Sequence, residues 1–155
     1  MTYRFSSAEH VIADVGKALG ATDWLTIEQE RIDLFAKATG DFQWLHVDPE
    51  KAARGPYGAT IAHGFLTLSL TNMFLPELFM PDNLDWGVNY GLDKVRFPAP
   101  VVVNSRIRGV GELVSATRVG DNGVQTMVRM TVEIEGKDKP GCVAEALQRY
   151  YFQSA

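Results

Sequence analysis

HGFLTLSLTNMFLPEL, residues 63 to 78, is the segment around which this chain has to be organised. Phe65, Leu66, Leu68, Leu70, Met73, Phe74 and Leu75 leave almost no polar face. The pattern predicts a helix that starts near His63 or Gly64 and is buried on most sides. Thr67, Ser69, Thr71, Asn72, Pro76 and Glu77 interrupt the apolar run, which is too short and too polar to span a bilayer. After Pro81 the period changes to two. Trp86, Val88, Tyr90 and Leu92 alternate, Val95 and Phe97 resume on the other face, and Gly91 between them is a candidate bulge. Pro98 and Pro100 close that strand. Residues 104 to 118 read as a long strand, and Gly120-Asp121-Asn122-Gly123 is a hairpin signal. Val124, Thr126, Val128, Met130, Val132 and Ile134 then alternate with polar residues. A turn from Gly136 to Gly141 leads to a last strand over 142 to 152. One buried helix followed by an antiparallel meander packs most economically as a curved sheet wrapped around the helix, an α+β arrangement.

Upstream of the helix the signals are more local. Ser6 or Ser7 can cap a short helix running to about Leu19, with Gly20 as its stop. Thr26 and Gln29 form a candidate capping box for a second helix, whose apolar stripe is Ile32, Leu34, Phe35, Ala36 and Ala38. Gly40 ends that helix and places Asp41 just beyond its C-terminus. Residues 42 to 61 read as irregular, with Pro49, Gly55, Pro56 and Gly58 as breakers.

Composition narrows the function classes. The 155 residues suit one domain, 46% hydrophobic and 22% charged, large enough for its own core. A net charge of −4 and the absence of any basic run give no reason to expect nucleic acid. The start, MTYRFSSAEHV, lacks the apolar core of a signal peptide, and the one cysteine, Cys142, fits a reducing cytoplasm. A cytoplasmic protein without a membrane partner is the expectation.

The chemistry concentrates in GDFQWLHVDPEKAARGPYGATIAHG, residues 40 to 64. If Gly64 opens the central helix, its N–H is an orphan donor at the positive end of the helix dipole. A glycine lets a ligand approach that donor closely, and such a donor can hold a carbonyl oxygen that gains charge in a reaction. Asp41 and His46 can fold back over the same point and move protons on and off a shared water. Each piece also has a plainer reading. Asp41 can be a turn residue, His46 with Asp48 a surface pair, and His63 an N-cap-like structural residue. Trp44 and Leu45 can form a pocket wall or simply pack. Asn72, eight residues past Gly64 and near its helical face, can bond a carboxylate or a ligand, or merely interrupt the core. A metal held by Asp41, His46, Asp48 and His63 lacks the support of any HExxH or CxxC spacing. No GxSxG elbow points to a serine hydrolase, and Cys142 lies in a strand interior, as core rather than nucleophile.

The stretch GDFQWLHVDPEKAARGPYGATIAHGFLTLSL resembles the hydratase motif of the MaoC-like, (R)-specific enoyl-CoA hydratases: Asp-x4-His-x-Asp, a short variable stretch, then [IV]-x-His-Gly and a buried helix. NYGLDKVRFPAPV, residues 89 to 101, is similar to the subgroup related to nodulation protein N. The resemblance runs from about Trp24 to Phe152. It implies a hot-dog fold, a single hydratase domain over residues 1 to 155, and a role in fatty acid metabolism. The implied reaction is hydration of trans-2-enoyl-CoA to (R)-3-hydroxyacyl-CoA without metal or organic cofactor. It also implies Asp41 and His46 as the catalytic pair, the Gly64 N–H on the thioester carbonyl, and a homodimer paired edge to edge. Some relatives carry a serine on the central helix that orients the catalytic aspartate; this chain has Asn72 at that spacing, and Gln43-Trp44 where Asn-Pro is common. The rival functions are a hot-dog acyl-CoA thioesterase, which would release free CoA, and a non-catalytic acyl-CoA-binding protein, whose affinity would survive loss of Asp41.

Overall fold

A computed structural model of the chain describes residues 1–154. Ser7 caps the first helix, α1 (Ala8–Ala13), its hydroxyl accepting from the His10 N–H at 3.2 Å. The helix stops there and does not run on to Leu19 as expected. Gly16 turns the chain at φ +95°, and its N–H bonds Leu113 O at 2.8 Å. Ala18–Ala21 then becomes a strand, β2, with Leu19 buried. A neighbouring strand with free backbone groups outweighs the modest helical propensity of this segment. The capping box also fails. Thr26 belongs to the two-residue strand β3 (Leu25–Thr26), so helix α2 (Gln29–Thr39) starts from Glu28 without a side-chain cap. Gly40 ends α2 as expected, left-handed at φ 82°, with its N–H on Ala36 O.

The stretch from 42 to 61 is more ordered than its breakers suggest. It holds two short helices, α3 (Trp44–Val47) and α4 (Pro49–Ala53). Asp48 separates them and caps the second, accepting from the Lys51 N–H at 3.0 Å, with Pro49 in the first turn where its missing N–H costs nothing. The central helix, α5, spans Gly64–Leu78.

Four long strands follow: β5 (Leu84–Arg96), β6 (Arg106–Val119), β7 (Gly123–Ile134) and β8 (Cys142–Phe152). They form an antiparallel sheet in the order β2-β6-β7-β8-β5, with β3 also pairing to β6. Tyr3–Phe5 (β1) and Phe79–Pro81 (β4) pair separately in parallel. The β5 register shifts between Asn89 and Gly91, the bulge expected at that glycine. Alternate residues of β7, from Val124 to Ile134, are buried against the helix. The contact is close: a Cβ on Gly109 of β6 would lie 2.6 Å from Phe74 Cβ of α5.

The helix is not covered on all sides. Leu66, Leu70, Phe74, Leu75 and Leu78 enter the core, but Phe65 is 68% and Met73 40% exposed. One curved sheet can cover only one side of a helix. The uncovered side continues onto β5, an edge strand exposed from Asp85 through Lys94. No helix among the described residues is long and apolar enough to cross a membrane.

Candidate active site

The left-handed Gly40 turns the chain out of α2 and sets Asp41 at the rim of a cleft of about 530 Å³. Asp41, His46, His63, Gly64 and Phe97 all line it, with Phe35 and Thr39 of α2 and Phe65 of α5 completing the wall. Asp41 is exposed, and its Oδ1 accepts from the Gln43 N–H at 3.3 Å. It is therefore both the turn residue of the plainer reading and a carboxylate facing the cleft.

His46 sits on the single turn of α3 and is 8% exposed. Its Nδ1 lies 2.8 Å from Ile61 O. A carbonyl can only accept, so Nδ1 carries the proton, and Nε2 of the neutral ring is left with a lone pair. His63 is oriented by the same logic. Its Nε2 lies 2.9 Å from Asp41 O and carries the proton, while its Nδ1 is buried without a partner. The two imidazoles stack at 3.8 Å with 23° between their planes, and Phe35 flanks His63 at 4.9 Å.

His63 is the N-cap residue of α5, but its side chain makes no cap bond. The first helical N–H groups to find acceptors are those of Leu66 and Thr67, both on His63 O. Gly64 and Phe65 thus present orphan donors at the positive end of a fifteen-residue helix. Gly64 has an ordinary helical backbone; its missing side chain matters because a Cβ there would lie 3.2 Å from the Phe97 ring.

Gln29 is a participant that its sequence context concealed. Freed from any capping box, its amide donates to His46 O at 2.7 Å and to Asp33 at 2.8 Å, and its Oε1 accepts from the Thr60 hydroxyl. It ties α2 to His46 on α3 and to Thr60, three residues before His63. Phe97, a strand residue by its alternation alone, lines the cleft just past the end of β5, its ring against Gly64 at the start of α5. Neither position carries a local signal; tertiary packing alone brings them in.

Trp44 and Asn72 lie elsewhere. Trp44 packs against Gly55, with Lys51 Nζ 4.7 Å above its ring, and does not line the cleft. Asn72 is exposed and lines a separate groove of about 280 Å³ with Ser69, Asn89, Tyr90 and Gln148. Eight helical residues carry it ~12 Å along the axis from Gly64. Within one chain it is therefore not beside Asp41.

Asp41, His46 and His63 each offer one ligand atom, all within 4.8 Å of one another. A metal needs lone pairs that converge. Stacked rings keep their in-plane lone pairs in nearly parallel planes, a poor arrangement for converging on one ion, and the free Nδ1 of His63 is buried. Cys142 is buried, and burial pushes its thiol up to about 11, which keeps it protonated and unreactive.

Residues 11–136 match the MaoC like domain. The chain belongs to the MaoC-like dehydratase family. It is 51% identical over 146 residues to 3-hydroxyacyl-thioester dehydratase Z of Mycobacterium tuberculosis (strain H37Rv), covering 94% of this chain and 97% of the relative. It is 43% identical over 143 residues to nodulation protein N of Rhizobium leguminosarum bv. viciae, covering 89% and 87%. The fold matches an (R)-hydratase from A. caviae involved in PHA biosynthesis, with a TM-score of 0.69 at 21% identity over 86% of this chain and 94% of that one. The helix wrapped by an antiparallel sheet is the hot-dog fold of this MaoC-like family.

Proposed function

We propose that this MaoC-like protein adds water reversibly to trans-2-enoyl-CoA, giving (R)-3-hydroxyacyl-CoA. One observation carries the reading: a carboxylate, an imidazole with a free Nε2 and an orphan helix N–H face a single cleft. The name of the mycobacterial relative supports it, since dehydration of a 3-hydroxyacyl thioester is this reaction run backwards. The (R) product and the CoA carrier follow the motif resemblance.

The Gly64 N–H holds the thioester oxygen, which draws electrons from the conjugated double bond and leaves its β-carbon electrophilic. Asp41 accepts one O–H of a water and orients it, while His46 Nε2 takes the other proton as the oxygen bonds the β-carbon. The negative charge that gathers on the thioester oxygen is met by the Gly64 N–H. The proton held on His46 is delivered to the α-carbon, so one water is added and the pair is restored. Asp41 and His46 act as a coupled unit. His63 positions the pair, because its Nε2–H holds the Asp41 carbonyl and its ring supports that of His46. No metal has a place in this scheme, and activity is expected to persist after exhaustive chelation.

The working unit is proposed to be a homodimer. Trp86, Val88, Tyr90 and Leu92 are all exposed on an open sheet edge beside the uncovered face of α5, a liability that pairing with a second copy removes. Light scattering should give twice the chain mass at micromolar concentration; a monomer there counts against the assembly.

The decisive assay follows loss of the conjugated thioester of trans-2-butenoyl-CoA, with chiral analysis of the product. Release of free CoA thiol instead would identify a thioesterase. Binding without turnover would identify an acyl-CoA-binding protein.

A further inference from the structure

Beyond Gly64 lies a second cavity. The cleft of about 530 Å³ that holds Asp41 and His46 and a neighbouring cavity of about 370 Å³ have two lining residues in common, Gly64 and Phe97. The second cavity is bounded by Tyr57, Ile61, Thr67, Pro98 and Gly141 among others. Phe97 divides the two. Its Cδ2, Cε2 and Cγ lie 3.2, 3.3 and 3.3 Å from where a Gly64 Cβ would be, so the ring rests on the glycine itself. Its backbone is poorly placed to retreat. Pro98 and Pro100 fix φ on the segment that follows, and the Ala99 N–H bonds Pro140 O at 3.0 Å. Phe65 flanks the ring at 6.2 Å.

A thioester carbonyl carbon carries an acyl arm and a sulfur arm. With its oxygen on the Gly64 N–H, the acyl arm must run toward Asp41 and His46 for its double bond to react. The sulfur arm then leaves along the other side of the ring. The edge of Phe97 falls beside the carbonyl carbon, where any substituent on the neighbouring α-carbon would need room.

Building on the hydratase reading, we infer that Phe97 is a specificity-determining partition that selects acyl thioesters unbranched at the α-carbon. One misplaced methyl group against an apolar wall is commonly worth ~10–200-fold in discrimination. The wild-type protein should therefore bind butanoyl-CoA at least about tenfold more tightly than 2-methylpropanoyl-CoA.

Saturated thioesters cannot be hydrated, so calorimetric titration with these two probes reads the partition independently of catalysis. Phe97→Ala joins the two cavities and should bring the two affinities to within about twofold, with Phe97→Leu intermediate. Hydration of trans-2-butenoyl-CoA and its 2-methyl analogue should show the same convergence. Phe97→Leu preserves an apolar side chain and carries the test if the alanine variant fails to fold. An unchanged affinity ratio in a well-folded Phe97 variant, or binding of neither probe to the wild type, overturns the proposal. A converging ratio without any hydration by the wild type sinks the hydratase reading but leaves the partition standing.

Discussion

His46 and His63 are both buried, lie ring on ring, and each give one N–H to a backbone carbonyl. What separates them is the fate of the other nitrogen. The carbonyl of Ile61 holds His46 by Nδ1, leaving Nε2 as its free nitrogen in the cleft that Asp41 also lines. The carbonyl of Asp41 holds His63 by Nε2, and its free Nδ1 is shut away from solvent. Residue type and burial are the same, yet one ring is placed to exchange protons and the other to hold its neighbours. The difference resides in which carbonyl each ring meets, which is a property of the backbone path rather than of the histidine.

The largest effects should come from the cleft-facing pair. Asp41→Asn keeps size and hydrogen bonding but removes the charge, and His46→Gln keeps a polar side chain but removes the base. Each should lower kcat by ~10²–10⁴-fold. Groups that act as a unit are not additive, so the double variant should be little worse than either single one. Steady-state hydration kinetics, with circular dichroism to confirm folding, give the comparison. A well-folded Asp41→Asn protein with near-normal kcat would remove the shared water from the mechanism.

Gly64→Ala probes the donor that follows His63 at the start of α5. The N–H survives, so the loss should fall below the ~10²–10³-fold typical of deleting an oxyanion donor, at about tenfold in kcat. The new methyl would sit 3.2 Å from the Phe97 ring, a contact that a few tenths of an ångström of give relieves without moving the ring off the glycine. The variant should therefore fold with a melting temperature within a few degrees of the parent. If kcat is untouched, the Gly64 N–H is not the carbonyl donor.

Much of this comparison is legible in the linear sequence, and the reason is local. Gly40 is a C-cap wherever it falls at the end of an apolar stripe, so the position of Asp41 follows from it. Gly64 opens a long apolar run, so its orphan N–H follows too. The alternation of β7 announces its own buried face. The rest depends on contacts across the chain. Leu19 sits in a helix-compatible segment yet pairs as a strand with β6. Gln29 looks like half of a capping box, but Thr26 is drawn into β3 and the amide turns to His46 and Thr60. Phe97 reads only as the end of a strand. The apolar face of α5 left open by Phe65 and Met73 cannot be told from its covered face by hydrophobicity, since a core and an assembly surface ask for the same side chains.

His63→Asn should have the smallest effect, and it tests the contrast most sharply. Asparagine is among the best N-cap residues, and the Phe65 N–H at the start of α5 is an orphan that its side-chain oxygen can accept. A new cap of ~1 kcal/mol would offset part of the lost stacking against His46 and Phe35. Thermal stability should therefore change little. The shorter side chain gives up the bond to Asp41 O, so the carboxylate would be held less firmly. That should appear as a drop of a few-fold in kcat, with KM nearly constant because the change acts on the reactive pair through the Asp41 backbone. The pH profile should keep its shape, since the groups that exchange protons remain in place. A loss as deep as that of Asp41→Asn, or a displaced pH profile, would mean that the buried Nδ1 takes part in the proton transfers and that both rings belong to the chemistry.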